Sequence, residues 1–199
     1  TYKRKTGELV AALNPPFETR DGTPLRLMVR TERISTHDIN RGSIPFKDQI
    51  LAANHNYMRN MLLIALGTSQ LETGLPENSV VIAAENLRQI PIEMVLRAYM
   101  AKSTTSTSLY QHYMRGERVF CGHQLPNDLI PNGLLPYVMD TPSTKSDDHD
   151  ESISSSDVVA RGICTREQYN EIKRATLWAF RLGSMFLEKN GLIAVDTKT

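Results

Sequence analysis

Glu93 and Arg97 lie in the run Ile90–Tyr99, where Ile90, Ile92, Met94, Leu96 and Ala98 alternate with Glu93, Val95, Arg97 and Tyr99. In a strand, this alternation puts the first set on a core face and brings the acid and the guanidinium onto the other face. Four strand residues span roughly 13 Å, too far for a direct salt bridge. An acid and a cation so spaced suit the two ends of a long, charged ligand. The carboxylate would hold a metal on a polyphosphate, and the guanidinium a terminal phosphate. A solvated strand face has the same pattern.

Four further segments hold residue types that do chemistry. Ser103 opens the hydroxyl run Ser103–Ser108, whose O–H and N–H groups suit a phosphate cradle or an ordinary flexible loop. Thr141-Pro142-Ser143-Thr144-Lys145 precedes Asp147-Asp148-His149-Asp150-Glu151. A lysine beside clustered acids can neutralise a nucleotide phosphate while a carboxylate helps to hold Mg²⁺; a solvated charge run reads the same way. Asp196 and Lys198 share a strand face, fit to bind a polar heterocycle or a carboxylate, or to form an exposed ion pair. The stretch Arg30-Thr31-Glu32-Arg33-Ile34-Ser35-Thr36-His37-Asp38 mixes cations, acids and hydroxyls after a strand, where polar substrates often bind.

These residues need elements to hold them. Residues 25–30 alternate as a strand, and Lys47–Ala65 repeats Ile50, Leu51, Tyr57, Met58, Met61 and Leu62 at helical spacing, with Gly67 as a stop. Ser79–Ala84 reads as a short buried strand. Residues 116–152, broken by Pro126, Pro131, Pro136 and Pro142, read as a long loop. Thr165 and Gln168 form a capping box for a helix turning Tyr169, Ile172, Ala175, Ala179, Leu182 and Phe186 inward, closed by Asn190-Gly191. Leu192–Val195 reads as a last buried strand. Strands and helices without a βαβ rhythm predict an α+β fold.

The 199 residues suffice for one sizeable domain or two small lobes. A net charge of +1 gives no global field for nucleic acid or an anionic membrane, so any anion site must be local. Two scattered cysteines, Cys121 and Cys164, form no disulfide framework and fit a reducing compartment. The longest apolar stretches are too short to span a bilayer, and the opening Thr1–Gly7, with no apolar core, does not read as a signal peptide. A cytoplasmic protein with no nucleic-acid or membrane partner is expected, and a homo-oligomer stays open.

The order of these segments carries a resemblance. Arg30–Asp38 resembles the R-T-D-R-I-S-A-F-D motif of the phosphoribosylaminoimidazole-succinocarboxamide (SAICAR) synthetases. Ile44-Pro45-Phe46-Lys47 looks like that family's I-P-x-K. Pro91–Tyr99 is similar to P-x-E-x-V-V-R-x-Y, and Thr141–Lys145 with His149-Asp150-Glu151 matches T-P-S-T-K…H-D-E. Asp196-Thr197-Lys198 looks like the opening of D-x-K-x-E-x-G. The five blocks span residues 30–198.

The resemblance implies an ATP-dependent ligase of purine biosynthesis that joins L-aspartate to carboxyaminoimidazole ribonucleotide, giving ADP and phosphate. The substrate carboxylate would be phosphorylated first and then attacked by the aspartate amine. The implied fold has two lobes in a kinase-like or ATP-grasp-like layout, with ATP between them. Residues 1–88 would be an antiparallel-sheet, ATP-binding lobe truncated at its start, and 89–199 an α+β lobe truncated at its end. Carried over by position, Glu93 and Asp150 would hold Mg²⁺, and Arg97 with Ser103 the ribonucleotide 5′-phosphate. Lys145, Asp196 and Lys198 would form the catalytic set, Lys145 on ATP phosphates and the other two on the imidazole and its carboxylate. Ser35 and Asp38 would belong to the substrate loop, and Glu85, Asn86 and Leu87 would receive adenine.

Departures from the pattern are Lys102 where the family has Gly, His37 for Phe, Glu32 for Asp, and a longer Thr104–Ser108 loop. The glycine-rich segment over the ATP phosphates and a metal-binding Glu after Lys198 fall outside the sequence. These departures motivate two alternatives: a nucleotide-binding member without catalysis, or another ATP-dependent phosphotransferase of the same fold.

Overall fold

In chain order, the first strands are β1 (Tyr2–Lys3), β2 (Leu9–Ala11), β3 (Phe17–Glu18) and β4 (Pro24–Val29). The hairpin β5 (Arg33–Thr36) and β6 (Ile39–Ser43) follows, then α1 (Lys47–Leu62) and β7 (Val81–Glu85). The computed structural model describes residues 2–3, 9–11, 17–36, 39–62, 67–145 and 150–199. His37, Asp38, Asp147, Asp148 and His149 lie outside these described residues. The chain divides into two compact units, Thr1–Arg88 and Gln89–Thr199.

In the first unit β4 is the centre of an antiparallel sheet. β7 pairs along one edge, from Leu25↔Glu85 to Val29↔Val81, while β2 and β3 share the other edge. Leu25, Ile82, Ala83 and Ala84 are buried on these two central strands. The loop motif and the Ile-Pro-Phe-Lys motif are stitched together here. Glu32 Oε1 accepts from Phe46 N–H at 2.7 Å, and Lys47 Nζ donates to the Arg33 carbonyl at 2.9 Å. Helix α1 starts where predicted, but of its residues Ala52 alone is fully buried, and Ile50 (60% exposed) and Tyr57 face outward. Its apolar positions are interrupted by Asn54, His55, Asn56 and Arg59, so the inward stripe is narrower than the spacing implied.

The second unit holds β8 (Ile92–Glu93), β9 (Val95–Tyr99), α2 (Leu109–Met114), β10 (Val119–Phe120), β11 (His123–Gln124), β12 (Leu134–Asp140), β13 (Ser143–Thr144), α3 (Ser155–Ala160), α4 (Arg166–Lys189) and β14 (Asp196–Lys198). Its main sheet is antiparallel, in the order β12-β9-β14, and β8 pairs with β13. The run 90–99 is thus two strands broken at Met94, which exchanges hydrogen bonds with Thr199. Its inward face is as predicted: Ile92, Met94 and Leu96 pack in one core with Ile153, Val158 and Tyr169. Val95, on the other face, is buried too.

Two corrections follow. Residues 116–152 hold a tight hairpin and the seven-residue strand β12 rather than a loop. Pro136 is tolerated because β12 is an edge strand with a register shift between Leu134 and Met139. The hairpin turns at Cys121 and Gly122, both at positive φ (49° and 82°), as a two-residue primed turn requires. Leu192–Val195 is not a buried strand either. Leu192 and Ile193 are exposed, and the strand begins at Asp196, where pairing with Arg97 starts. Helix α4 has the predicted capping box and closes at Asn190 with Gly191 at φ 71°. Its buried stripe runs through Tyr169, Thr176 and Ala179, leaving Leu182 and Phe186 only partly covered.

Candidate functional site

Strand β9 sits between β12 and β14, so its outward side chains meet groups from both neighbours. Register puts Arg97 opposite Asp196 on one side and Met139 on the other. Arg97 Nη1 donates to Asp196 Oδ2 at 3.3 Å, and Nε donates to Thr141 Oγ1 at 3.0 Å. Nη2 has no protein partner among the described residues. Burial lowers the Arg97 pKa while Asp196 opposes it, and an arginine keeps its charge in either case.

Glu93 lies one strand earlier, with its side chain largely buried, and ion-pairs with both Lys145 and Lys198. Lys145 reaches it because β13 pairs with β8 and the Lys145 amide bonds to the Pro91 carbonyl at 3.1 Å. Lys198 also lies 3.9 Å from Asp150 Oδ2. Asp196 and Lys198 therefore do not pair with each other; each meets an opposite charge from another part of the sheet. Glu93 and Arg97 likewise have separate partners, as their strand spacing requires.

Val95, Arg97, Ser103, Asp150, Asp196 and Lys198 all line one cavity of about 590 Å³. Ser103 sits at the start of the hydroxyl run, with Oγ accepting from Thr105 N–H at 3.2 Å and its carbonyl held by Gln111 Nε2 at 2.6 Å. Its hydroxyl proton has no acceptor among the described residues. Lys102 lines the same cavity, its amide fixed by Asn132 Oδ1 at 2.9 Å. Its φ is not positive, so the lysine needs none of the angles reserved for glycine. The extended hydroxyl loop contributes Thr105, Thr107 and Ser108 to the wall, and Ser108 caps α2.

Mg²⁺ prefers oxygen donors and is commonly held by one or two carboxylates together with substrate phosphates. Glu93 and Asp150, joined through Lys198, fit that mode. Among the described residues no cluster of three or more potential metal ligands occurs.

The other predicted residues belong to the first unit. Ser35 lies on β5. Glu85 ends β7, and the amides of Glu85, Asn86 and Leu87 are bonded to Ser69, Pro24 and Glu85 carbonyls at 2.8, 2.8 and 3.0 Å. The Leu87 side chain is exposed. Sequence reasoning missed Thr141 as the acceptor for Arg97, and also a cluster of His123, Tyr169 and Lys173 around the buried Asp140. The letters Thr-Pro-Ser-Thr-Lys are visible in the sequence, but their meeting with Arg97 depends on the pairing of β12, a strand that its prolines disguise. No helix among the described residues is long and apolar enough to cross a membrane.

Comparisons with known proteins bear on the family and the fold. The SAICAR synthetase family profile matches residues 16–199. An Arabidopsis thaliana protein named phosphoribosylaminoimidazole-succinocarboxamide synthase, chloroplastic, is 37% identical over 172 residues, covering 86% of this chain and 41% of the relative. The chain spans about half the length of the curated relatives it matches, 41% and 57% for two of them. Among solved structures, the Saccharomyces cerevisiae SAICAR synthase complexed with SAICAR superposes with a TM-score of 0.74 at 21% identity, covering 87% of this chain and 61% of that one. A type-2 SAICAR synthetase in complex with ADP gives 0.66 at 19% identity, covering 87% and 66%. The α+β fold with antiparallel sheets is thus the fold of these enzymes, and the chain belongs to the SAICAR synthetase family.

Proposed function

We propose that this protein condenses L-aspartate with carboxyaminoimidazole ribonucleotide at the expense of ATP, a reading supported by its membership of the SAICAR synthetase family. The observation that carries this reading is the polarity of the second unit's site. One end offers Arg97 and Ser103 on a shared cavity, and the other offers Glu93 and Asp150 among the ammonium groups of Lys145 and Lys198.

In this reading Arg97 and Ser103 take the ribonucleotide 5′-phosphate, a guanidinium and a hydroxyl being suited to phosphate oxygens. Lys145 binds nucleotide phosphates, and Glu93 with Asp150 would hold Mg²⁺, which neutralises polyphosphate charge when bound. Asp196 and Lys198 contact the imidazole and its carboxylate, while Ser35 and Asp38 belong to the substrate loop. Glu85, Asn86 and Leu87 receive adenine, the exposed Leu87 side chain offering it an apolar surface. The residues act mainly by positioning and by fixed charge. Lys198, already between two carboxylates, is placed to stabilise negative charge developing on the substrate carboxylate. The unpaired thiols of Cys121 and Cys164 suit a reducing compartment and motivate a cytoplasmic setting.

The test is kinetic. Full-length protein should release ADP only when L-aspartate and the ribonucleotide are both present, and ADP release indifferent to aspartate would reject the assignment. In the same assay Arg97→Ala should raise the KM for ribonucleotide by about tenfold or more, the scale of a lost charge-assisted hydrogen bond, and leave the KM for ATP unchanged.

A further inference from the structure

Asp140 ends strand β12 as a buried acid with no part in the chemistry proposed above. Its carboxylate gathers three donors: the Tyr169 hydroxyl at 2.7 Å, Lys173 Nζ at 2.8 Å and His123 Nε2 at 3.3 Å. His123 Nε2 also lies 2.8 Å from the Asp140 carbonyl oxygen. A carbonyl only accepts, so this nitrogen carries the proton. Burial works against the charged carboxylate, but the three donors outweigh it and hold Asp140 well below the usual carboxylate range. The end of β12 is thereby tied to helix α4 through two side chains and to the β10–β11 hairpin through a third.

The next residue, Thr141, is buried as well and lines the cavity. Its N–H donates to the Val95 carbonyl at 2.7 Å, and its hydroxyl donates to the same oxygen at 3.3 Å. That use of the proton leaves Oγ1 free to accept from Arg97 Nε at 3.0 Å. An arginine side chain has many rotamers, and fixing Nε removes much of that freedom before any anion arrives. Asp196 holds Nη1 more loosely and from a half-exposed position.

We propose that Thr141 is a positioning residue for Arg97, and that the Asp140–Tyr169–Lys173–His123 cluster keeps Thr141 in place. The immediate anchor, Thr141, thus lines the cavity beside Arg97, while the Asp140 carboxylate around which the supporting cluster gathers is buried at the end of β12. The predicted effect on substrate rests on the reading of Arg97 as the ribonucleotide phosphate site; the Thr141–Arg97 contact does not.

The experiment compares full-length wild type, Thr141→Val, Thr141→Ser and Asp140→Asn. Valine keeps the shape of threonine and removes Oγ1, while serine keeps the hydroxyl. In proton–nitrogen spectra of the ligand-free protein, the Arg97 Nε–H signal, identified by its loss in Arg97→Lys, should be slow to exchange in wild type and Thr141→Ser. It should exchange rapidly in Thr141→Val and faster than wild type in Asp140→Asn. Thr141→Val should raise the KM for ribonucleotide about tenfold with an unchanged KM for ATP, and Thr141→Ser should restore it. An Arg97 Nε–H equally protected in Thr141→Val and wild type would overturn the proposal, as would equal rises in both KM values. If wild-type protein releases ADP without needing ribonucleotide, the ligase reading fails, and the exchange comparison still decides whether Thr141 positions Arg97.

Discussion

At the scale of single residues, charge is arranged in pairs that separate two tasks. Arg97 answers to Asp196 and Thr141, Glu93 to Lys145 and Lys198. Away from the cavity, His123 is the group whose titration should register in stability. Its hydrogen bond to Asp140 raises its pKa above 6.5 against the opposing effect of burial, with Lys173 also opposing and Tyr137 on its other nitrogen. A raised histidine pKa contributes stability that is complete below 6.5 and is lost as pH rises through the folded-state value. Asp140 works in the opposite sense: its contribution is present at neutral pH and is lost as pH falls from 3.8 toward its depressed value. Thermal unfolding between about pH 6 and about pH 8 should therefore show a fall in Tm that is smaller in His123→Gln. Identical slopes in the two proteins would show that His123 stores no such energy. Of the candidate site, strand alternation makes Glu93 and Arg97 legible on one face, while the other residues are read through the order of the family motifs. The Asp140 cluster is not legible, since its members are separated by up to half a hundred positions and meet only through tertiary packing.

At the scale of elements, legibility followed local signals. Helix α4 announces itself by a capping box and a glycine stop, both present, and the run 90–99 by alternation, which the structure keeps across two strands broken at Met94. Strand β12 was hidden by Pro136, which an edge position tolerates, and the β10–β11 turn by a Cys-Gly pair in place of the commoner Asn-Gly. The entry to α1 shows the reverse case, a local cost accepted for a contact. Phe46 holds φ at 63° with its ring exposed, while its N–H bonds Glu32. For a residue with a side chain, the left-handed region costs about 1–2 kcal/mol, and glycine would keep the N–H without that cost. Phe46→Gly should therefore stabilise the protein in urea unfolding by a few tenths to about 1 kcal/mol, after the unfolded-state entropy of glycine is offset. A loss of more than about 1 kcal/mol would mean that the ring has a packing role.

At the scale of the whole molecule, the second unit by itself gathers residues from β9, β13, β14 and the hydroxyl loop around one cavity, with Glu93 of β8 outside its lining and joined to it through the Lys198 ion pair. Sequence order alone indicated that distant blocks belong together; the antiparallel order β12-β9-β14 is what joins residue 97 to residues 141 and 196. The direction of that cavity is the central claim, and a crystal structure of the full-length protein with ADP, Mg²⁺ and the ribonucleotide tests it most directly. Density for the metal should appear on Glu93 and Asp150 beside the nucleotide phosphates and Lys145, with the ribonucleotide phosphate on Arg97 and Ser103. Nucleotide phosphates seated on Arg97, or a metal bound away from Glu93, would contradict it.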